Sequence, residues 1–245
     1  MIIHKLRASA IHGVFTLLVS LVAGFLVFFV WFPYPFGEML GGTEIYSLIV
    51  VAEILLGPVV SFVIYNPGKK RSELFRDYAC VVIFQVGLLI YGMYAVFVSR
   101  PVYQVFVKDR IEVVSATELE LSDVNEAEAS FRELPLWGPE TICVNFPKDP
   151  KERSDLLESA MAGKDIQLIP KYYRRCQSGE ILSGAYSGDE FSALTGLSLD
   201  ILPKELKDSA HYWLPVVTRF GSWIVFYRVG EPDNPIYLNK NPFKD

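Results

Sequence analysis

Charged side chains are missing from long stretches of the first hundred residues. After Arg7 the next one is Glu38; between Glu44 and Lys69 there is only Glu53; between Asp77 and Arg100 there is none. A bilayer core of about 30 Å takes roughly 20 apolar residues wound as a helix. Three blocks meet that length, at about 11–32, 45–65 and 79–99. Buried helices of soluble proteins rarely run to such a length without a polar face, and these blocks are almost free of charge. The pattern predicts three transmembrane helices, with residues 1–10 before them and a polar loop, 66–78, between the second and third. The first block exceeds the apolar core of a signal peptide and ends in Val30-Trp-Phe-Pro33 rather than a small-x-small cleavage site, so it reads as a retained helix.

Beyond residue 100 the pattern changes to short alternating runs and turn residues. Tyr103–Val107 and Ile111–Val114 flank a Lys-Asp-Arg break and read as a hairpin or bent strand. Ser115-Ala-Thr-Glu118 has the spacing of a capping box, and 123–133 continues as helix. Thr141–Phe146 reads as a strand. Asp149-Pro150 opens a helix that Gly163 closes. The stretch 180–208 holds two or three short helices. Trp213–Arg219 and Ser222–Arg228 are strands joined at Phe220-Gly221, and Glu231-Pro-Asp-Asn-Pro235 turns the chain into a last strand, Ile236–Leu238. The expected architecture is a membrane α-helical bundle of three transmembrane helices, followed over 100–245 by an α+β extracytoplasmic domain with a small antiparallel sheet.

Composition sharpens this picture. Of the 245 residues 51% are hydrophobic and only 21% charged, which excludes a disordered chain. Residues 1–100 carry seven Lys/Arg and five Asp/Glu, net +2; residues 101–245 carry 16 and 23, net −7. An acidic domain argues against nucleic acid as a partner. Lys5 and Arg7 precede the first block, the 33–44 loop has no Lys or Arg, and Lys69, Lys70, Arg71 and Arg76 fill the second loop. The positive-inside rule then puts the N-terminus and second loop in the cytoplasm and the domain outside it. Trp31, Tyr34 and Tyr46 fit the aromatic belt at that outer face.

Candidate chemistry is sparse. There are three His, at 4, 12 and 211, with no metal-binding pair spacing, no Cys-x-x-Cys, no nucleophile elbow and no phosphate loop. The chain is expected to be non-enzymatic and to need no metal or cofactor. Cys143 and Cys176 both fall in the exported domain, where disulfides persist; a bridge and two free buried thiols both remain open. Glu53 is the one charge inside a membrane block, a functional hypothesis by default. It could pair with Gln85, meet an amine on another protein, or reach back to the interface. Gly57-Pro58, one turn on, is expected to kink that helix and free backbone groups, and Ser20 and Gly24 have the spacing of close helix packing.

Several ordered motifs run nearly the length of the chain: Lys5-Leu-Arg-Ala-Ser-Ala-Ile-His12, Trp31-Phe-Pro-Tyr34-Pro35-Phe36, Glu53-Ile-Leu-Leu-Gly57-Pro58, Arg100-Pro101-Val-Tyr103, Leu134-Pro-Leu-Trp137-Gly-Pro139, and Leu214-Pro-Val-Val-Thr-Arg219 with Trp223. With them the chain resembles the type IV pilin accessory proteins of Gram-negative inner membranes, the TfpX/TfpZ family. The resemblance implies an inner-membrane accessory of type IV pilus biogenesis that handles its cognate major pilin, in contact with membrane lipid and compatible with a homo-oligomer. It marks Trp31, Tyr34, Pro35, Arg100, Pro101, Tyr103, Trp137 and Trp223 as structural or interface positions. The alternative is a membrane-tethered sensor or binding module unrelated to pilin, although the short cytoplasmic segments leave no room for an output domain.

Overall fold

The computed structural model describes residues 2–207 and 210–243. Asp208, the last residue of the expected 180–208 helical stretch, lies outside the described residues, as do both ends of the chain at 1 and 244–245. The chain divides into two compact units, Met1–Ser99 and Arg100–Asp245.

The first unit is helical. Helix α1, Ile2–Leu26, continues into a π-helical turn, Val27–Trp31, closed by the Phe32 amide on the Val27 carbonyl at 2.7 Å. Pro33 follows, and the residue before a proline is pushed out of helix. A single turn, α2 (Phe36–Met39), leads to Gly41, whose φ of 70° suits glycine. Helix α3 is Gly42–Ile64, with Pro58 inside it, and α4 is Arg71–Val98. Among the described residues, three helices are long and apolar enough to cross a membrane: α1 with its π turn, α3 and α4. They start earlier than the apolar blocks do, at Ile2 and Arg71, because helical hydrogen bonding continues where hydropathy falls.

Burial in this unit is inverted relative to a soluble bundle. Thr16 and Ser20 are the buried residues of α1; Gly42, Tyr46, Glu53, Gly57 and Ser61 are buried along α3; Gln85 and Val96 are buried on α4. Val22, Leu48 and Ile83 point outward and are more than 70% exposed. That is the arrangement hydrocarbon dictates, because lipid solvates leucine and valine as well as another helix does. Small residues bring α1 and α3 together. A Cβ on Gly24 would lie 2.9 Å from the Tyr46 hydroxyl, and one on Gly13 would lie 3.2 Å from the Pro58 ring. Helix α4 meets α3 at Gly92, where a Cβ would lie 2.9 Å from Ile49.

The second unit is built on one sheet. Its strands are β1 (Pro101–Val107), β2 (Arg110–Ser115), β3 (Glu140–Val144), β4 (Tyr173–Arg174), β5 (Tyr186–Ser187), β6 (His211–Thr218), β7 (Gly221–Arg228) and β8 (Glu231–Leu238). Its helices are α5 (Leu121–Glu126), α6 (Pro150–Met161), α7 (Glu180–Ser183), α8 (Phe191–Thr195) and α9 (Lys204–Lys207). The sheet order is β4-β3-β1-β2-β6-β7-β8, with β5 paired to β6. This corrects the expectation of a small antiparallel sheet: β1–β3 and β2–β6 are parallel, so the sheet is mixed and eight-stranded. Parallel neighbours need long crossovers, and the connections after β2 and β3 supply them. Local pattern shows where strands are, whereas these crossovers decide which strands become neighbours.

Two further elements differ from expectation. The 123–133 helix is two short pieces, α5 and a 3₁₀ turn at Ala129–Phe131. The segment Glu231–Pro235 belongs to β8 rather than to a turn; the reversal lies at Val229-Gly230, with Gly230 at φ 91°. Proline cannot donate to a ladder but is accommodated in an edge strand, and β8 is the edge. Helix α6 begins as read: Asp149 Oδ2 accepts the Glu152 amide at 3.0 Å, with Pro150 in the first turn. Two buried clusters hold the domain together. In one, Tyr103, Phe131 and Tyr173 meet edge-on, with centroids 5.2–6.3 Å apart. In the other, Phe191 packs against Trp213 and Phe226.

Candidate functional site

The polar residues of the helical unit converge on one place. Glu53 is eleven residues from each end of α3, at its centre. Gln85 stands near the middle of α4, and Thr16 near the middle of α1 with its π turn. The Gln85 Nε2 donates to Glu53 Oε2 at 3.3 Å. One turn along α3, Gly57 makes the room. A Cβ there would lie 2.6 Å from Gln85 Nε2, 3.2 Å from Thr16 Oγ1 and 3.3 Å from His12 Nε2. A further turn on, Ser61 Oγ shares a hydrogen bond with His12 Nδ1. Glu53, Gly57 and Ser61 recur every four residues, as do His12, Thr16 and Ser20, so each set stacks on one face of its helix.

Backbone groups join the same seam. The Tyr46 hydroxyl donates to the Ser20 carbonyl, and Ser9 Oγ donates to the Pro58 carbonyl at 2.7 Å. Interhelical hydrogen bonds of this kind hold membrane helices together where apolar burial cannot. A cavity of about 180 Å³ opens beside the cluster between α1 and α4. Glu53, Thr16, Ser20 and Gln85 line it, with Phe15, Val19, Val82 and Val86 around them. Sequence reading singled out Glu53, Gly57 and Pro58 and paired Glu53 with Gln85 as one option. It missed His12, Thr16 and Ser61 as members, although their fourfold spacing to Ser20 and Glu53 carried the signal.

The remaining candidate positions fall into different surroundings. Trp31 is half-buried with its ring edge-on to Phe97 at 5.1 Å, Pro35 is buried and Tyr34 is exposed. Arg100 is buried and its Nε donates to the Pro135 carbonyl at 3.1 Å. Pro101 is buried at the start of β1. Tyr103 and Trp223 are 1% and 7% exposed, so both are core residues with no surface to offer a partner. Burial, reinforced by Glu140, pushes the Tyr103 phenol up to about 12. Trp137 is 77% exposed, on the loop that Arg100 holds.

Cys143 and Cys176 are bonded, with Cα atoms 5.0 Å apart and 33 residues between them in sequence. Beside them the Arg174 guanidinium forks onto the Glu180 carboxylate, Nη1 to Oε2 at 2.8 Å and Nη2 to Oε1. With the Gln177 amide, this fork holds the Glu180 carboxyl down at about 2. Among the described residues, the cluster of metal-ligand side-chain types is Cys143, Cys176 and Glu180. Its sulfurs are spent on each other and its carboxylate on Arg174. Gly163-Lys164-Asp165 is a helix exit: Gly163 has φ 93°, Lys164 pairs with Asp123 at 2.6 Å and Glu120 at 2.9 Å, and Asp165 Oδ1 caps Ile166. His211 packs its ring against Phe226.

These features define a class: a unit of three helices long and apolar enough to cross a membrane, with polar residues between them, and a disulfide-stapled mixed-sheet domain. Comparison with known proteins narrows it. A family profile described as "Fimbrial assembly protein FimB" matches residues 1–41. The "Fimbrial assembly protein, serogroup I" of Dichelobacter nodosus is 34% identical over 164 residues, covering 67% of this chain and 64% of the relative. That of serogroup E1 is 32% identical over the same span. That of serogroups C1 and C2 is 32% identical over 121 residues, 49% of this chain and 92% of the relative. The chain belongs to the fimbrial assembly protein family. It spans 64% of the length of the first two relatives. A search of solved structures finds no match.

Proposed function

We propose that this protein is a non-enzymatic inner-membrane accessory of type IV pilus biogenesis, of the TfpX/TfpZ kind, that handles its cognate major pilin. The observation that carries the reading is the division of the chain into a unit of membrane-length helices and a folded domain. A pilin waiting for assembly has the same two parts, an apolar helix and a globular head, so both halves of the accessory have something to hold. The fimbrial assembly relatives support the process. The orientation rests on Lys5 and Arg7 before α1 and on Lys69, Lys70, Arg71 and Arg76 around the start of α4. The Cys143–Cys176 bond fits a periplasmic domain.

The test is in the cell of origin. Removing the gene should abolish or sharply reduce surface pili while pilin stays in the inner membrane. Photocrosslinkers at the exposed Trp137 and Met161 should capture pilin. Tyr103 and Trp223 are unsuitable probe positions because they are core. Normal piliation without the protein, or no pilin adduct from either position, sinks the reading.

A further inference from the structure

The Glu53 carboxylate has no lysine or arginine beside it, and the basic group near it is the His12 imidazole. Gln85 supplies one hydrogen bond, to Oε2, and no other donor to the carboxylate is found among the described residues. No Lys or Arg occurs between Arg7 and Lys69 or between Arg76 and Arg100. The long helices therefore bring no lysine or arginine to this depth. His12, which also lines the cavity, is engaged through Nδ1 with Ser61. A carboxylate 7% exposed at mid-helix is costly in hydrocarbon unless it is paired, and it is retained beside an open cavity rather than sealed by packing.

The cavity's rim shows where a partner would come from. Val19, Val82 and Val86 are each about half exposed, on the outer surface of α1 and α4, whereas Glu53 and Gln85 are buried at the floor. The opening faces the acyl-chain region. Lipid tails carry no donor at that depth. A transmembrane helix can carry one, because its backbone is satisfied internally and a single side chain is free to project.

We infer that this cavity is a docking socket for a transmembrane helix of another polypeptide, one that presents an amine, guanidinium or amide donor at mid-membrane to Glu53. The apolar rim packs the visiting helix and the floor reads its donor. That the visiting helix belongs to pilin rests on the function proposed above; the socket's chemistry does not.

The test uses the full chain in nanodiscs and two synthetic helices of roughly 20 leucines, one with a central lysine and one without. Binding is read by energy transfer between labels on helix and protein. The lysine helix should bind the wild type roughly tenfold more tightly than the leucine helix, the size of one interhelical hydrogen bond. Glu53→Gln should erase most of that preference. Val86→Trp, which fills the mouth and leaves the polar floor intact, should weaken the lysine helix as well. Leu55→Trp, on the exposed face of α3, should change neither. Equal affinity for the two helices, or a preference that survives Glu53→Gln, overturns the socket; lipid filling the cavity gives the first of these results. Pilin captured from Trp137 alongside a failed helix preference would sink the socket and leave the pilin reading standing. A clear preference with no pilin adduct would do the reverse.

Discussion

The two halves of this chain solve opposite packing problems with the same amino acids. In the sheet domain, Phe191, Leu214, Ile224, Val225 and Phe226 are wholly buried. In the helical unit, residues of the same kinds, such as Val22, Leu48 and Ile83, face outward; Val27, Phe32, Met39, Leu40 and Val96 are buried at the end that holds the π turn, and along the middle of the long helices the interior is left to Thr16, Glu53, Ser61 and Gln85. In water, burying a large apolar side chain stabilises by about 1.5–3 kcal/mol, which decides what goes inside. In hydrocarbon that term vanishes between helices, and satisfied polar groups and small-residue contacts decide instead. A polar residue buried in the domain is therefore a structural accommodation, as Glu112 is against Arg110 at 2.6 Å. A polar residue buried in the helical unit is part of what holds it, and a candidate for what it does.

The sharpest break of this contrast is a matched pair of truncations. Phe226→Ala, in the centre of β7, should cost about 3–5 kcal/mol. Leu55→Ala, on the exposed face of α3, should cost close to nothing. Thermal unfolding of the full chain in detergent, followed by near-ultraviolet circular dichroism for the domain and helical signal for the bundle, reads both. Equal losses would mean that the helices of the first unit bury their apolar faces against something in solution, and the inverted reading of that unit would fall.

The second device belongs to the domain alone. Cys143→Ser with Cys176→Ser removes the cross-link over 33 residues and should cost about 3–4 kcal/mol in the chain-entropy account. The loss should appear in the domain's transition and leave the bundle's transition in place. Reductant on the wild type should reproduce it. A doubly substituted protein as stable as the wild type would show that the Arg174–Glu180 fork and the surrounding core hold this corner unaided.

How much of this was visible in the linear pattern follows the same divide. Membrane-length helices announce themselves, because charge has to vanish for roughly 20 residues at a time. The mixed sheet did not, because the β1–β2 hairpin is local while the parallel partners β3 and β6 arrive through long crossovers. Strand β8 was masked by Pro232 and Pro235, which read as a turn until its edge position is known. The polar cluster was half visible. Glu53 stands out as a lone charge, but its company depends on the register of α1 against α3. Gly13, Gly24 and Gly57 set that register through close approaches to Pro58, Tyr46 and Thr16, which spacing along one helix cannot reveal.

Acid provides a smaller probe of the domain. The Arg174 fork and the Gln177 amide lower the folded Glu180 carboxyl to about 2 from an ordinary 4.5. A depressed carboxylate contributes stability that is complete above its unfolded value and is lost as pH falls toward the folded one. Glu180 is partly solvated, so screening reduces the contribution to about 1 kcal/mol. Burial moves Glu112 the other way, upward, and its effect on stability has the opposite sign. Comparing the wild type with Glu180→Gln cancels Glu112. The gap between the two proteins should be present at pH 6 and close between about pH 4.5 and 2. A gap that persists at pH 2 would mean that the fork acts through packing rather than charge.

The smallest expected effect on stability is the most informative about the helical unit. Glu53→Leu removes the one charge from the membrane interior and releases Gln85, whose amide still has Thr16 and His12 close by around Gly57. Replacing a buried charge with a hydrophobic side chain is often neutral or stabilising, and inserting leucine at mid-membrane is favourable where a carboxylate is costly. The bundle's transition should stay in place or rise slightly, and the protein should accumulate normally in the membrane. If pili are lost all the same, stability and function separate at this residue, and the carboxylate is kept for what it meets rather than for what it holds. If Glu53→Leu instead unfolds the helices, the Glu53–Gln85 contact is a structural strut, and the contrast drawn here between the two interiors becomes one of degree.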